Sequence, residues 1–149
     1  MPPPFDQKPA LPFISTHGFE AQFNFELLEL GDERARARVT VTSDLKQPAG
    51  LVHGGVYASI AESLASWATA YAVGPDGKFA VGLSNQTSFL RPITEGKIHA
   101  LALCRHRGRT TWVWEVEMSD DQGRLCTLTR MTIAVRDMPS RGAGGTRAT

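Results

Sequence analysis

The chain has 149 residues, with 16 Lys and Arg set against 15 Asp and Glu. That length suits one domain with a proper core and is short for two. The near balance of charge leaves no global field favouring nucleic acid or an anionic membrane, so an anionic ligand must be met by a local basic cluster.

Three early prolines and the tail SRGAGGTRAT mark residues 1–11 and 138–149 as poorly ordered extensions, leaving a single domain over residues 12–137. The amino-terminal MPPPFDQKPALPF lacks the charged start and apolar run of a secretory signal, and no later segment has the length and apolar density of a membrane span. A cytoplasmic protein without a membrane partner is the expectation. Residues 21–30 and 35–41 read as two strands joined at Gly31-Asp32, the second alternating clearly in ARARVTV. After a loop over residues 42–50 comes a helix over residues 51–73, LVHGGVYASIAESLASWATAYAV, stopped by the Gly-Pro-Asp-Gly run at 74–77. Everything beyond reads as β: residues 79–90, 97–105, 111–119 and 124–136, separated by turn residues. One long apolar helix among such strands predicts an α+β domain in which about six antiparallel strands wrap around the helix, each burying the other's apolar face. The strands are long and their edges unblocked, so pairing of sheets between subunits, and hence a homo-oligomer, is expected.

Cys104 and Cys126 lie far apart in alternating apolar stretches and read as ordinary buried thiols. His17, His53, His99 and His106 show no ligand spacing with one another or with a cysteine, so no metal is expected. There is no G-x-S-x-G nucleophile elbow.

The helix carries the chemistry. From Gly54 to Val73 its one charged side chain is Glu62, whose neighbours three and four positions away are Ala58, Ser59, Ala65 and Ser66. A carboxylate on a helix that is buried on most sides needs a partner or must sit neutral, and none of those neighbours is basic. A glutamate bonded to hydroxyls and backbone and a glutamate used in chemistry both fit the helix taken alone. At the helix start, Gly54 and Gly55 have no side chain to block an approaching carbonyl, and the first N–H groups of a helix lack intrahelical acceptors. His-Gly-Gly therefore suits an oxyanion site, or equally a tight turn into the helix. His53 either donates to that site or shapes the loop. Tyr57, Trp67, Phe89, Trp112 and Trp114 are available for an apolar pocket or for core packing. The run Arg105-His106-Arg107-Gly108-Arg109 reads either as a phosphate contact or as a solvated turn.

Gln47, LVHGG at 51–55 and AES at 61–63, with SNQTSFLRPITEG at 84–96, TTWVWEV at 110–116 and DDQGRLC at 120–126, together resemble the hotdog-fold acyl-coenzyme A thioesterases. Within them the pattern is similar to the branch with a helical glutamate after HGG, typified by the Arthrobacter-type 4-hydroxybenzoyl-coenzyme A thioesterase. The resemblance covers most of residues 25–136. It implies an acyl-coenzyme A thioesterase acting on an aromatic acyl group, with coenzyme A as part of the substrate, no separate cofactor, and assembly as a dimer of dimers. It implies Glu62 as nucleophile or general base, Gly54 N–H as the donor to the thioester oxygen, Gln47 and His53 as flanking polar groups, and Ser66 as the hydroxyl that orients carboxylate or water. Ser66 stands where the related enzyme has threonine. Arg91 and Thr110 match coenzyme-binding positions, and Arg109 replaces a serine there, adding a phosphate contact. Related enzymes of the same pattern take 1,4-dihydroxy-2-naphthoyl-coenzyme A, phenylacetyl-coenzyme A or carrier-protein-bound aryl thioesters. A hotdog hydratase, which pairs a carboxylate with a histidine, and a non-enzymatic acyl-coenzyme A-binding regulatory module are the competing readings.

Overall fold

The computed structural model describes residues 8–139; of the extensions expected over residues 1–11 and 138–149, residues 1–7 and 140–149 lie outside that range. Seven strands form one antiparallel sheet: β1 (Phe13–Ile14), β2 (Glu26–Glu29), β3 (Arg34–Thr40), β4 (Lys78–Phe89), β5 (Lys97–Arg107), β6 (Thr111–Ser119) and β7 (Leu125–Asp137), in the order β1-β2-β3-β5-β6-β7-β4. One helix, α1 (Gly54–Val73), packs in the curve of that sheet, most closely against β4 and β7. The expected wrapped sheet is present, with a seventh strand of two residues that was too short to read from alternation.

Two elements depart from the sequence reading. Residues 20–23 form a 3-10 turn rather than the start of a strand, closed by Asn24 in the left-handed region at φ 54°. The turn is closed by backbone bonds, the Asn24 and Phe25 N–H groups both donating to Glu20 O, and Phe23 packs edge-on against Phe19 and Phe25. Residues 51–53 are extended rather than helical, because Val52 bridges to Lys46 and the His53 N–H donates to Leu45 O. That short clasp brings Gln47 back beside the start of α1.

The helix is buried on most sides, as its composition requires. Ile60, Ala61, Leu64, Ala65 and Ala68 are fully enclosed, and a half-buried stripe of Ser59, Glu62 and Ser66 is left along one side. Trp114 sits at the centre of the core, its Nε1 donating to Thr69 Oγ1, which in turn donates to Ala65 O. Trp114→Ala should lower the unfolding free energy by about 3–5 kcal/mol, read by urea denaturation, because it opens a large cavity and strips Thr69 of its donor.

β4 is an edge. It is 12 residues long, paired among the described residues with β7 on one side only, and carries exposed Val81, Leu83 and Phe89. A register shift between Gly82 and Ser84 makes Leu83 the extra residue of a β-bulge.

Candidate active site

Two backbone donors at the head of α1 are already used. The His53 side chain accepts the Gly55 N–H at 2.9 Å through Nδ1, and the His53 carbonyl accepts the Val56 N–H at 2.9 Å. The Gly54 N–H has no acceptor among the described residues and sits at the positive end of a 20-residue helix. His53 thus serves as the N-cap, its ring turned back onto the helix, and its capping of Gly55 leaves Gly54 as the open donor.

An open cavity of about 400 Å³ lies over that donor, lined by Gln47, Gly54, Tyr57, Phe89 and Arg91 among others. The Phe89 ring stands where it would be 3.0 Å from a Cβ on residue 54, so any other residue there would push the ring back from the helix start. Tyr57, one turn into the helix, packs its ring 6.1 Å from that of Phe89. Burial pushes the Tyr57 phenol up to about 12, so it stays neutral and acts as a wall, not as a base. Of the five aromatic candidates, Tyr57 and Phe89 line the cavity, whereas Trp67, Trp112 and Trp114 belong to the core. A hollow of about 440 Å³ on the outer face of the sheet is lined by charged side chains such as Arg34, Arg36 and Glu117 and has no helix terminus facing it.

Glu62 is not in the cavity. Eight residues along the helix from Gly54, it is displaced by about 12 Å along the axis. Its carboxylate lies against Gly82 of β4, and Asn85 Nδ2 stands 3.5 Å from Oε2. Among the described residues it has no ion-pair partner. Ser66 follows on the same half-buried stripe.

The coenzyme-site candidates are likewise apart. Arg91 stands at the cavity, its N–H on Cys126 O, while the Thr110 carbonyl accepts from the Val135 N–H at the other end of β7. Nine residues of extended strand separate those two anchors, roughly 30 Å. Within the basic run, Arg105 pairs with Glu115, and Arg107 pairs with Asp32 and lies over the Trp112 ring. Arg109 has no ion pair among the described residues and is exposed. The structure therefore groups Gln47, Gly54 and Arg91, and leaves Glu62 with Ser66, and Arg109 with Thr110, as separate clusters.

Other chemistries lose support. Burial raises both thiols, Cys104 and Cys126, keeping them protonated at neutral pH. The one ion pair between a histidine and a carboxylate among the described residues, His99–Asp121, involves neither Glu62 nor the cavity. No group of three or more His, Cys, Asp and Glu among the described residues could hold a metal ion, and no helix is long and apolar enough to cross a membrane. The sequence reading passed over Gly82 and Asn85. The signal was present: the polar run Ser84 to Ser88 interrupts a strand that otherwise alternates.

The family described as the Thioesterase superfamily matches residues 49–127 of the chain, a span that contains the His53-Gly54-Gly55 turn, Glu62 and β4. This chain belongs to that superfamily. The proofreading thioesterase EntH of Cronobacter turicensis is 36% identical over 110 residues, covering 74% of this chain and 80% of that one. Thioesterase HI1161 from Haemophilus influenzae superimposes with a TM-score of 0.76 at 29% identity, covering 83% of this chain and 85% of that one. Two structures of the Staphylococcus aureus thioesterase SAV0944, at 26% and 27% identity, superimpose with a TM-score of 0.75 and cover 78% of this chain and 96% of that one. One of them has a glutamine replaced by alanine and the other a glutamate, fifteen positions apart. The thioesterase described here is a thioester hydrolase with a hotdog fold, its sheet wrapped around α1.

Proposed function

We propose that the protein hydrolyses an aromatic acyl thioester of coenzyme A, of the 4-hydroxybenzoyl kind, with Glu62 as nucleophile or general base and the Gly54 N–H as donor to the thioester oxygen. The observation that carries the reading is the uncommitted Gly54 N–H facing an apolar cavity walled by Tyr57 and Phe89. Negative charge develops on the carbonyl oxygen in the transition state, so a donor aimed there beforehand lowers the barrier. The glutamine and glutamate replaced in the Staphylococcus aureus relative share the fifteen-residue spacing of Gln47 and Glu62 here.

The reacting groups come from two subunits. An antiparallel pairing of two β4 edges centred on Gln86, with Leu83 left out at the bulge, sets Gly82 opposite the partner's Phe89. Gly82 lies against Glu62 and Phe89 against Gly54, so this register carries Glu62 towards the partner's Gly54. It also sets Ala80, which pairs with Val135 beside Thr110, opposite the partner's Arg91. Gln47, Gly54 and Arg91 of one subunit then face Glu62, Ser66, Arg109 and Thr110 of the other, a span suited to an extended coenzyme with its phosphates between the arginines. Such dimers pair further as a dimer of dimers. Arg91→Glu should raise KM by about tenfold or more while kcat stays within about threefold, since the phosphates bind alike in ground and transition states. An unchanged KM removes Arg91 from the coenzyme site.

A second reading takes the acyl donor to be an aryl group on a carrier protein, as the likeness to a proofreading thioesterase suggests. Thiol release over benzoyl, 4-hydroxybenzoyl, phenylacetyl, dihydroxynaphthoyl and aliphatic coenzyme A esters, with an aryl-loaded carrier protein alongside, separates the two. Preference for the carrier-bound ester selects the second. No thiol release from any member would revive a binding module.

A further inference from the structure

An ionised carboxylate on a largely buried helix needs support, and none of the ion pairs among the described residues includes Glu62. The support comes from the edge strand. A Cβ on Gly82 would overlap Glu62 Oε1 and stand 3.1 Å from its carboxyl carbon, so any side chain there would displace the carboxylate. Glycine in a strand interior weakens the strand, and its presence next to the Leu83 bulge marks a place shaped for close approach.

Asn85 closes the other side. Its Nδ2 donates to Ala58 O at 2.9 Å and lies 3.5 Å from Glu62 Oε2. The direction of that amide is set twice over. Ala58 O can only accept, so the NH2 end must face the helix. At the opposite end the Thr87 hydroxyl donates to Asn85 Oδ1 at 2.8 Å. Having spent its one proton there, Thr87 accepts from the Thr129 hydroxyl at 2.9 Å. The protons thus run one way, from Thr129 through Thr87 to Asn85 and on to the helix, and a flipped amide would break both of its ends. One Nδ2 proton serves Ala58; the second is directed at Oε2. At 3.5 Å that contact is longer than a full hydrogen bond. It places the positive edge of a fixed amide beside Oε2, favouring this orientation of the carboxylate while leaving its lone pairs open.

Resting on the reading of Glu62 as the reacting carboxylate, we propose that Gly82 and Asn85 are positioning residues for it. Asn85, aligned by Thr87 and Thr129, holds Oε2, and Gly82 opens the space in which Oε1 lies as the oxygen that attacks the thioester or activates water. A purely structural Asn85 would tie α1 to β4 through Ala58 and leave turnover untouched once the fold was intact.

The test is steady-state kinetics of the purified full chain with 4-hydroxybenzoyl- and benzoyl-coenzyme A. Asn85→Ala should lower kcat about 10–100-fold with KM within about twofold, the range expected when a reacting group is held less firmly. Asn85→Asp, which faces one carboxylate with another, should fall further. Thr87→Val, which touches no part of Glu62, should lower kcat about tenfold by releasing the amide, and Thr87→Ser should restore most of it. The Thr87 pair serves even where an Asn85 variant fails to fold. The proposal is overturned by kcat within threefold of wild type in both Asn85 variants, or by equal losses in Thr87→Val and Thr87→Ser. A Glu62→Gln enzyme that still turns over would instead remove the reading beneath it.

Discussion

Glu62→Gln lowers kcat on the order of 10⁴-fold while leaving the native mass and the unfolding transition unchanged, an expected loss typical of a group that reacts directly. Glutamine matches glutamate in shape, so the half-buried space beside Gly82 and Asn85 stays filled. What disappears is the negative charge, and with it both the nucleophile and the base. Thiol release from the most active ester checks this, and residual activity above about a tenth of wild type would remove Glu62 from the chemistry. A single turnover in oxygen-18 water then separates the two routes. If Glu62 attacks, coenzyme A leaves as its thiol and the acyl group is held as a mixed anhydride whose hydrolysis carries label into the Glu62 carboxylate. If Glu62 activates water, the label goes only to the product acid.

Mixing two inactive subunits should restore activity. A dimer of Glu62→Gln with Gly54→Ala has one composite site with both defects and one with neither, if each site takes Glu62 from one subunit and Gly54 from the other. Random mixing makes half of the dimers mixed, so co-expression should return roughly a quarter of wild-type turnover. The physical ground is the separation of about 12 Å between the two positions along α1. In addition, β4, against which both sites lie, is an unpaired edge with exposed apolar side chains. Co-expressed variants no more active than either alone would mean that each site is built within one chain.

The legibility of this protein in its sequence divides along physical lines. Long, periodic elements are readable: β6 spans the residues expected, and α1 ends at Val73, just before the Gly-Pro-Asp-Gly run that stops it. Short or irregular elements are not. Two residues of β1 contain no alternation to detect, and the phenylalanines at 19, 23 and 25 share the spacing of one strand face although Glu20–Phe23 is a 3-10 turn. Glu62 and Gly54 stood out by type and spacing, whereas Asn85 looked like one polar residue among five. Its meaning depends on β4 lying beside α1, which no local pattern encodes.

The sequence by itself determined the two chemical groups, a lone carboxylate on an apolar helix and a bare glycine N–H at that helix's start, because residue type and helical geometry suffice for both. Their eight-residue spacing already sets them about 12 Å apart along the helix; the packing of strands on the helix adds that Glu62 lies outside the cavity at Gly54. The tertiary structure shows His53 occupied with capping Gly55, which leaves Gly54 as the open donor, and it lays Glu62 against Gly82 on the edge strand β4. The placing of Glu62 depends on which strand becomes the sheet edge and how it abuts the helix, contacts between residues some twenty positions apart that arise from packing the whole core, whereas the His53 cap is a local contact two residues long.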